Sequence, residues 1–400
     1  MNDCIYLDNN ATTKIDEEVL AAMLPYLSTY YGNPSSMHTF GGQLGRTIRQ
    51  ARQQVASLLG AEDSEIIFTS CGTEGDNAAI LAALQAQPQK KRIITTAVEH
   101  PAVLNLCRKL EKNGYAVTYL SVNGQGQIDF DELEASLTGD TAVVSVMYAN
   151  NETGVIFPIE QIGSVVKEYG ALFHVDAVQA VGKIPLDMKT STIDFLTLSG
   201  HKLHGPKGMG ALYVRKGVRF RPLVMGGHQE RGRRGGTENV AGIVALGKAA
   251  ELAQAHLADV AQEQQLRDKL EQAILATIPN TVVNGDRTAR LPNTTNIGFK
   301  YIEGEAILLS LDQYGICASS GSACTSGSLE PSHVLRALGL PYSILHGSIR
   351  FSLSRYTTEA EIDRVLEVLP GIITRLRELS PFTSDDAQWL KEQEKAVLAR

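Results

Sequence analysis

From Glu65 to Val214 short apolar runs alternate with stretches of helical period: IIFTS then DNAAILAALQA, RIITTAV then PAVLNLCRKLEKNG, VVSVMYAN then IEQIGSVVKEYG, followed by LFHVDA, FLTLSG and GALYV. A strand–helix–strand rhythm of this kind predicts a mainly parallel sheet with crossover helices on its faces. Ligands of such sheets gather beyond the carboxyl ends of the strands, where helix N-termini also point. The polar residues of this chain cluster at those ends. From about 243 to 276 an alanine- and glutamine-rich pattern predicts one long amphipathic helix, after which TTNIGF and SIRFSLS alternate like strands of a smaller α+β unit. A boundary near 260 follows. The tail beyond Pro381 is charged and carries the single tryptophan, Trp389.

Four hundred residues suit two unequal domains, and 43% hydrophobic with 20% charged residues is a soluble globular composition. The formal charge of -7 argues against a general polyanion-binding surface, so no nucleic-acid partner is expected. The five cysteines (Cys4, Cys71, Cys107, Cys317 and Cys324) contain no CxxC pair and fit neither a disulfide framework nor a zinc knuckle. They suit a reducing compartment. The start, MNDCIYLDNNATT, lacks a basic and apolar leader, and no run of about 18 apolar residues occurs. A cytoplasmic protein without a membrane partner is the expectation.

The strand ends carry the chemistry. After IIFTS comes CGTEGDN, where free N–H groups, Gly72 and the Thr73 hydroxyl make an anion seat; an ordinary cap by Thr73 is the competing explanation. After RIITTAV stands His100, a capping residue or a ring for a flat ligand. Asn150, Asn151 and Glu152 follow the next strand and serve a ligand or a turn equally well. Asp176, flanked by apolar residues, needs a cation or good donors if buried, with a helix cap as the alternative. Gln179 lies three residues on. In FLTLSGHKLHGPKG, Ser199 and His201 precede Lys202, either a surface lysine or an imine-forming amine. No GxxxxGK[ST] occurs, and His201 and His204 lack a third metal ligand, so no resident metal is expected. An anion seat, a ring-stacking histidine, a carboxylate for a pyridinium nitrogen and an amine for an aldehyde, at successive strand ends, together describe a pyridoxal 5′-phosphate pocket.

Here the sequence resembles the NifS/IscS-type cysteine desulfurases, class V aminotransferase-like enzymes of the aspartate-aminotransferase (fold type I) group. The motifs that carry the resemblance are YLDNNATT, YGNPSS, TSCGTEGDN, EHPAV, NNETG, HVDAVQ, SGHKLHGPKG, RRGGTEN, SSGSACTSGSLEPSHVL and SIRFSLSRYTT. They span nearly the whole chain. The resemblance implies a seven-stranded, mainly parallel sheet in a large pyridoxal phosphate-binding domain, residues 16–260. A smaller α+β domain would cover 261–400, with residues 1–15 packing on it. Lys202 would hold the cofactor as an imine, Asp176 pair with the pyridine nitrogen, His100 stack on the ring, and Asn151 and Gln179 lie by the ring oxygen and substrate. Gly72, Thr73, Ser199, Gly200 and His201 would hold the phosphate. Thr237 would reach the phosphate of a second subunit, which implies a homodimer. Arg350 would grip the substrate carboxylate, with Asn33 also near the substrate. Two features depart from the pattern: relatives often carry alanine or another small residue where Gly72 stands, and Cys71 adds a second thiol, explained by small-volume packing.

In that family the cysteine of SSGSAC, here Cys324, carries a persulfide. Its glycine- and serine-rich surroundings suit a loop that visits both the substrate sulfur and an outside acceptor. The implied reaction converts L-cysteine to L-alanine: Lys202 moves the α-proton, the Cys324 thiolate takes the sulfur, and His100 is a candidate proton donor or acceptor. No charged residue lies within SSGSACTSGS, so thiolate formation depends on the closed complex. Implied acceptors are an iron–sulfur scaffold protein, including one serving nitrogen fixation, or other sulfur acceptors, with Cys324 a transient ligand of a cluster iron. Three alternatives share the scaffold: a selenocysteine lyase, an aminotransferase, which has no use for Cys324, and a non-catalytic cofactor-binding module.

Overall fold

A computed structural model describes residues 4–320 and 331–381 of the chain. Seven strands form the main sheet, in the order Ile66–Thr69, Gly210–Val214, Phe195–Ser199, Leu172–Asp176, Thr141–Met147, Arg92–Thr96 and Ala116–Leu120. Gly210–Val214 runs antiparallel to both neighbours; every other pairing is parallel. Thr141–Met147 is buried at all seven positions, which explains why it reads as a continuous apolar run rather than an alternation. Helices cover both faces.

The helix Gly72–Ala86 packs its small residues Ala79, Ala82 and Ala83 into the core. Its approach to the sheet is close: a Cβ on Gly75 would stand 2.6 Å from Thr197 Cγ2, so any side chain there would push the helix off the strand. This contact fixes the height of the helix N-terminus above the strand ends.

The single helix expected over 243–276 is two, Val240–His256 and Val260–Thr277, broken at 257–259. Each half serves a different core. Ile243, Leu246 and Ala250 pack in the core of the main sheet, whereas Leu266, Leu270 and Ile274 join a second core. One straight helix could not turn its apolar stripe toward both. The second core lies against an antiparallel sheet of Ser348–Ser352, Thr294–Phe299 and Thr281–Val283, and also takes in Leu7 and the helix Glu359–Leu379. The N-terminal strand Ile5–Tyr6 pairs in parallel with Ile316–Cys317.

Candidate active site

A cleft of about 860 Å³ opens at the carboxyl ends of the parallel strands. Its floor is built from the residues that follow Thr69, Thr96, Met147, Asp176 and Ser199, the ends at which sequence placed the polar groups.

One end has groups that could seat an anion. The helix Gly72–Ala86 starts there, and Cys71 at its N-cap makes no side-chain capping bond. Thr73 stands inside the first turn, so it is not the cap, and the first N–H groups of the helix have no intrahelical acceptor. Gly72 is tightly seated, since a Cβ would meet Val178 Cγ2 at 2.9 Å. Ser199, 2% exposed, holds a buried Oγ with no hydrogen-bond partner among the described residues. His201 Nδ1 lies 3.1 Å from Thr12 Oγ1, and burial with Lys202 nearby brings its pKa down to about 4, leaving a neutral ring.

The middle of the cleft gathers Lys202, Asp176 and His100. Lys202 sits in a single 3₁₀ turn, Gly200–Lys202, directly after the strand, and its Nζ donates to the carbonyls of Asn10 (2.5 Å) and Ala11 (2.6 Å). Burial and Arg350 lower its pKa to about 8. Asp176 Oδ1 accepts from Val178 N at 2.9 Å, an Asx turn that accounts for the capping alternative with one of its two oxygens. Burial, with the Asp76 carboxyl adding to it, raises the Asp176 carboxyl well above the usual range. A cation at this point would reverse that. His100 caps the helix Pro101–Lys112: its Nδ1 accepts from Ala102 N at 3.2 Å, so the neutral ring carries its proton on Nε2. Burial holds His100 below the ordinary histidine range. The capping alternative for His100 holds, and the cap uses one nitrogen of a residue that also lines the cleft.

Asn10, which sequence reading passed over, organises this region. Its carbonyl accepts from Lys202 and from Gln179 Nε2 (3.0 Å), while Lys183 Nζ bridges Asn10 Oδ1 (3.2 Å) and Gln179 Oε1 (2.9 Å). On the other side Arg350 NH2 donates to Asp8 Oδ1 at 2.7 Å and NH1 to the Asn151 carbonyl at 2.9 Å. Glu152, which sequence offered for a ligand or a turn, lines the cleft, as does His333, which sequence reading passed over. Glu152, buried and raised to about 7 by that burial, accepts from Ser332 Oγ at 2.5 Å; His333 Nε2 lies 2.9 Å from the Glu99 carbonyl at the cleft wall. Only the motifs YLDNNATT and SLEPSHVL pointed to the segments of Asn10 and His333.

Three expected residues do not line the cleft. Gly200 is not among the lining residues; its N–H donates to Met209 O at 2.8 Å and its carbonyl accepts from Gly205 N at 2.9 Å. Asn33 is exposed and caps its own turn, accepting from Ser35 N at 2.9 Å. Thr237 is exposed on a surface loop. That loop is anchored by Glu230, which takes a bidentate pair from Arg52 (2.6 and 2.7 Å) and the N–H of Phe68 (3.0 Å). Cys324 lies outside the described residues.

Comparison with known proteins agrees with this geometry. The aminotransferase class-V family profile matches residues 5–365. The chain belongs to that family. It is 75% identical over 397 residues to a cysteine desulfurase of Trichormus azollae, covering 99% of each chain. It is 60% identical over 382 residues to the cysteine desulfurase NifS of Azotobacter vinelandii, covering 95% of each. Among solved structures, a NifS-like protein superposes with a TM-score of 0.88 at 40% identity, over 94% of this chain and 100% of that one. A structure described as SspA in complex with cysteine gives 0.78 at 36% identity, over 88% and 100%. The family uses pyridoxal phosphate, and the residues present fit it: an unpaired Ser199 hydroxyl and free helix N–H groups for a phosphate, an amine at Lys202, and a raised carboxyl at Asp176 for a protonated ring nitrogen.

Proposed function

We infer that the chain is a pyridoxal phosphate-dependent cysteine desulfurase that converts L-cysteine to L-alanine and passes the sulfur on as a persulfide of Cys324. The observation that carries this reading is the joint position of Lys202, Asp176 and His100 around one cleft that Arg350 also lines. When bound, the cofactor supplies an electron sink for the carbon next to the substrate carboxylate. The chain's own residues do the rest. Lys202, whose pKa is lowered by burial, is neutral often enough near pH 8 to accept a proton from that carbon. His100 presents Nε2–H to the cleft and can give a proton to a departing or accepting atom. Arg350 offers a guanidinium to the substrate carboxylate, and Asn151 and Gln179 fix the face on which it lies.

The cleft reading extends to a homodimer. Thr237 is exposed and cannot contribute to its own chain's cleft, and beside it Leu223, Val224 and Met225 are also exposed, with Gly235 N donating to Val224 O at 2.8 Å. A second copy covering these apolar residues would bring Thr237 to the partner's anion seat. The acceptor of the sulfur is an iron–sulfur scaffold or another sulfur-accepting protein, with nitrogenase supply suggested by likeness to the NifS of Azotobacter vinelandii. Incubation of the purified enzyme with L-cysteine tests the reading. Alanine formed with sulfide or persulfide supports it; an oxo acid with amination of a second substrate would move the chain to the aminotransferases, and preferred turnover of selenocysteine to the selenocysteine lyases.

A further inference from the structure

Two thiols that the reaction does not use stand face to face. Ile5 and Tyr6 pair in parallel with Ile316 and Cys317, Ile5 N donating to Gly315 O at 2.9 Å and Leu7 N to Cys317 O at 2.8 Å. This register sets Cys4 Sγ 3.2 Å from Cys317 Sγ, although the residues are 313 positions apart in sequence. Cys4 is exposed and Cys317 partly buried. A disulfide has its sulfurs about 2 Å apart, so a movement of roughly one ångström would join them. Cys71 and Cys107 have no second thiol beside them among the described residues.

Both strands run directly into the cleft. Beyond Tyr6 come Asp8, paired with Arg350, and then Asn10 and Ala11, which accept from Lys202. Beyond Cys317 comes Ser319, whose carbonyl accepts from Arg350 N at 2.6 Å and whose N–H donates to Arg350 O at 3.2 Å. A covalent link at this point would tie two segments that otherwise meet only through hydrogen bonds and packing.

We propose that Cys4 and Cys317 form a reversible oxidation site, a dithiol that a peroxide converts to an intramolecular disulfide stapling the N-terminal segment to the strand leading past residue 317. The exposed Cys4 sulfur attacks one peroxide oxygen, the O–O bond breaks, and one water leaves as a sulfenic acid forms. The Cys317 sulfur then attacks the Cys4 sulfur, the S–O bond breaks, the S–S bond forms and a second water leaves. Two thiols lose two protons and two electrons, and the peroxide is reduced to two waters. Burial and the neighbouring Cys4 push the Cys317 thiol up to about 11, so Cys317 stays protonated at neutral pH and the exposed Cys4 is the sulfur that meets the peroxide first. A small dithiol reverses the link. The site does not depend on which reaction the cleft performs.

The test uses the cofactor-loaded Cys324→Ser variant, so that the nucleophile of the reaction takes no part. After treatment with one equivalent of hydrogen peroxide, alkylation and non-reducing digestion, a cross-linked peptide pair containing Cys4 and Cys317 is expected. Titratable thiols should fall by two per chain, and the thermal midpoint should rise and return on addition of dithiothreitol. None of these changes should appear when Cys4→Ser or Cys317→Ser is added. The proposal is overturned if Cys4 is oxidised while Cys317 remains open to alkylation, if either sulfur is found bridged to Cys71, or if the bridge joins two chains. The cross-linked peptide decides the matter even where a serine variant folds poorly.

Discussion

Arg350 and Asp8 form an ion pair of 2.7 Å with side chains only 5% and 21% exposed, so the guanidinium proposed to receive the substrate carboxylate already holds one. The substrate must displace Asp8 or share Arg350 with it. Of the five Arg350 N–H donors one goes to Asp8 and one to the Asn151 carbonyl, and its Nε has no partner among the described residues. Removing the competitor with Asp8→Asn should lower KM for L-cysteine by roughly thirtyfold, a charge-assisted hydrogen bond contributing ~2 kcal/mol. Arg350→Ala should raise KM with a smaller effect on kcat. Steady-state kinetics check both, and a higher KM for Asp8→Asn would show that Asp8 positions Arg350 instead of competing for it.

The lysine gives a pH dependence. Lys202 is lowered from the ordinary lysine range to about 8 by burial and Arg350, so its amine is neutral above that pH and protonated below it. Only the neutral amine adds to an aldehyde. Capture of pyridoxal phosphate by the cofactor-free protein should therefore speed up as pH rises and level off above about 8, followed by absorbance in a stopped-flow series. A rate still climbing toward 10 would place Lys202 in an ordinary solvated environment.

Ser199 offers a separation of stability from binding. Its hydroxyl is buried and unpaired, which costs the folded chain ~1 kcal/mol or more. Ser199→Ala should leave the melting point of the cofactor-free protein unchanged or slightly higher, yet weaken cofactor affinity about tenfold through loss of one phosphate donor. Thermal melts and equilibrium titration measure the two effects independently.

Glu230 anchors the loop of Thr237 through a buried pair with Arg52, and it does so with left-handed backbone at Glu230 and Arg231 (φ 49° and 61°). Strain of this kind persists where surrounding contacts enforce it. Glu230→Gln should lower unfolding free energy by ~3 kcal/mol, since it strands a buried guanidinium. Where a second copy takes Thr237 at its anion seat, as proposed above, cofactor should also be lost faster on dialysis, because the loop holds Thr237 less firmly. Urea titration and retained cofactor absorbance report the two.

Much of this arrangement was legible in the chain. Six of the seven strands announced themselves as apolar runs closed by polar residues, and the ends of five of them line the cleft because parallel strands deliver their ends to one edge; the sixth, Gly210–Val214, runs antiparallel and ends at the other. The seventh strand, Ala116–Leu120, was not read residue by residue: it lies at the sheet edge, and four of its five positions are partly or fully exposed. The helix over 243–276 misled because its composition is uniformly helix-forming, while the break at 257–259 is imposed by two separate cores. Asp8 and Asn10 carry no periodic signal at all. Their roles arise from contacts with Lys202, Thr294 and Arg350, from 192 to 342 residues away. Gly200 was assigned to the phosphate by the resemblance, whereas its N–H donates to Met209 O and its carbonyl accepts from Gly205 N.

Sulfur transfer to Cys324 is the claim on which the functional reading turns, and one measurement reaches it directly. Cofactor-loaded enzyme is given a single equivalent of L-cysteine without reductant, quenched with an alkylating agent and digested, and the peptide containing Cys324 is weighed. The account expects that peptide to carry one added sulfur, with an equal amount of alanine released, and expects the added sulfur to vanish in Lys202→Ala. Alanine released with no sulfur on Cys324, or sulfur found only on Cys71, would contradict it.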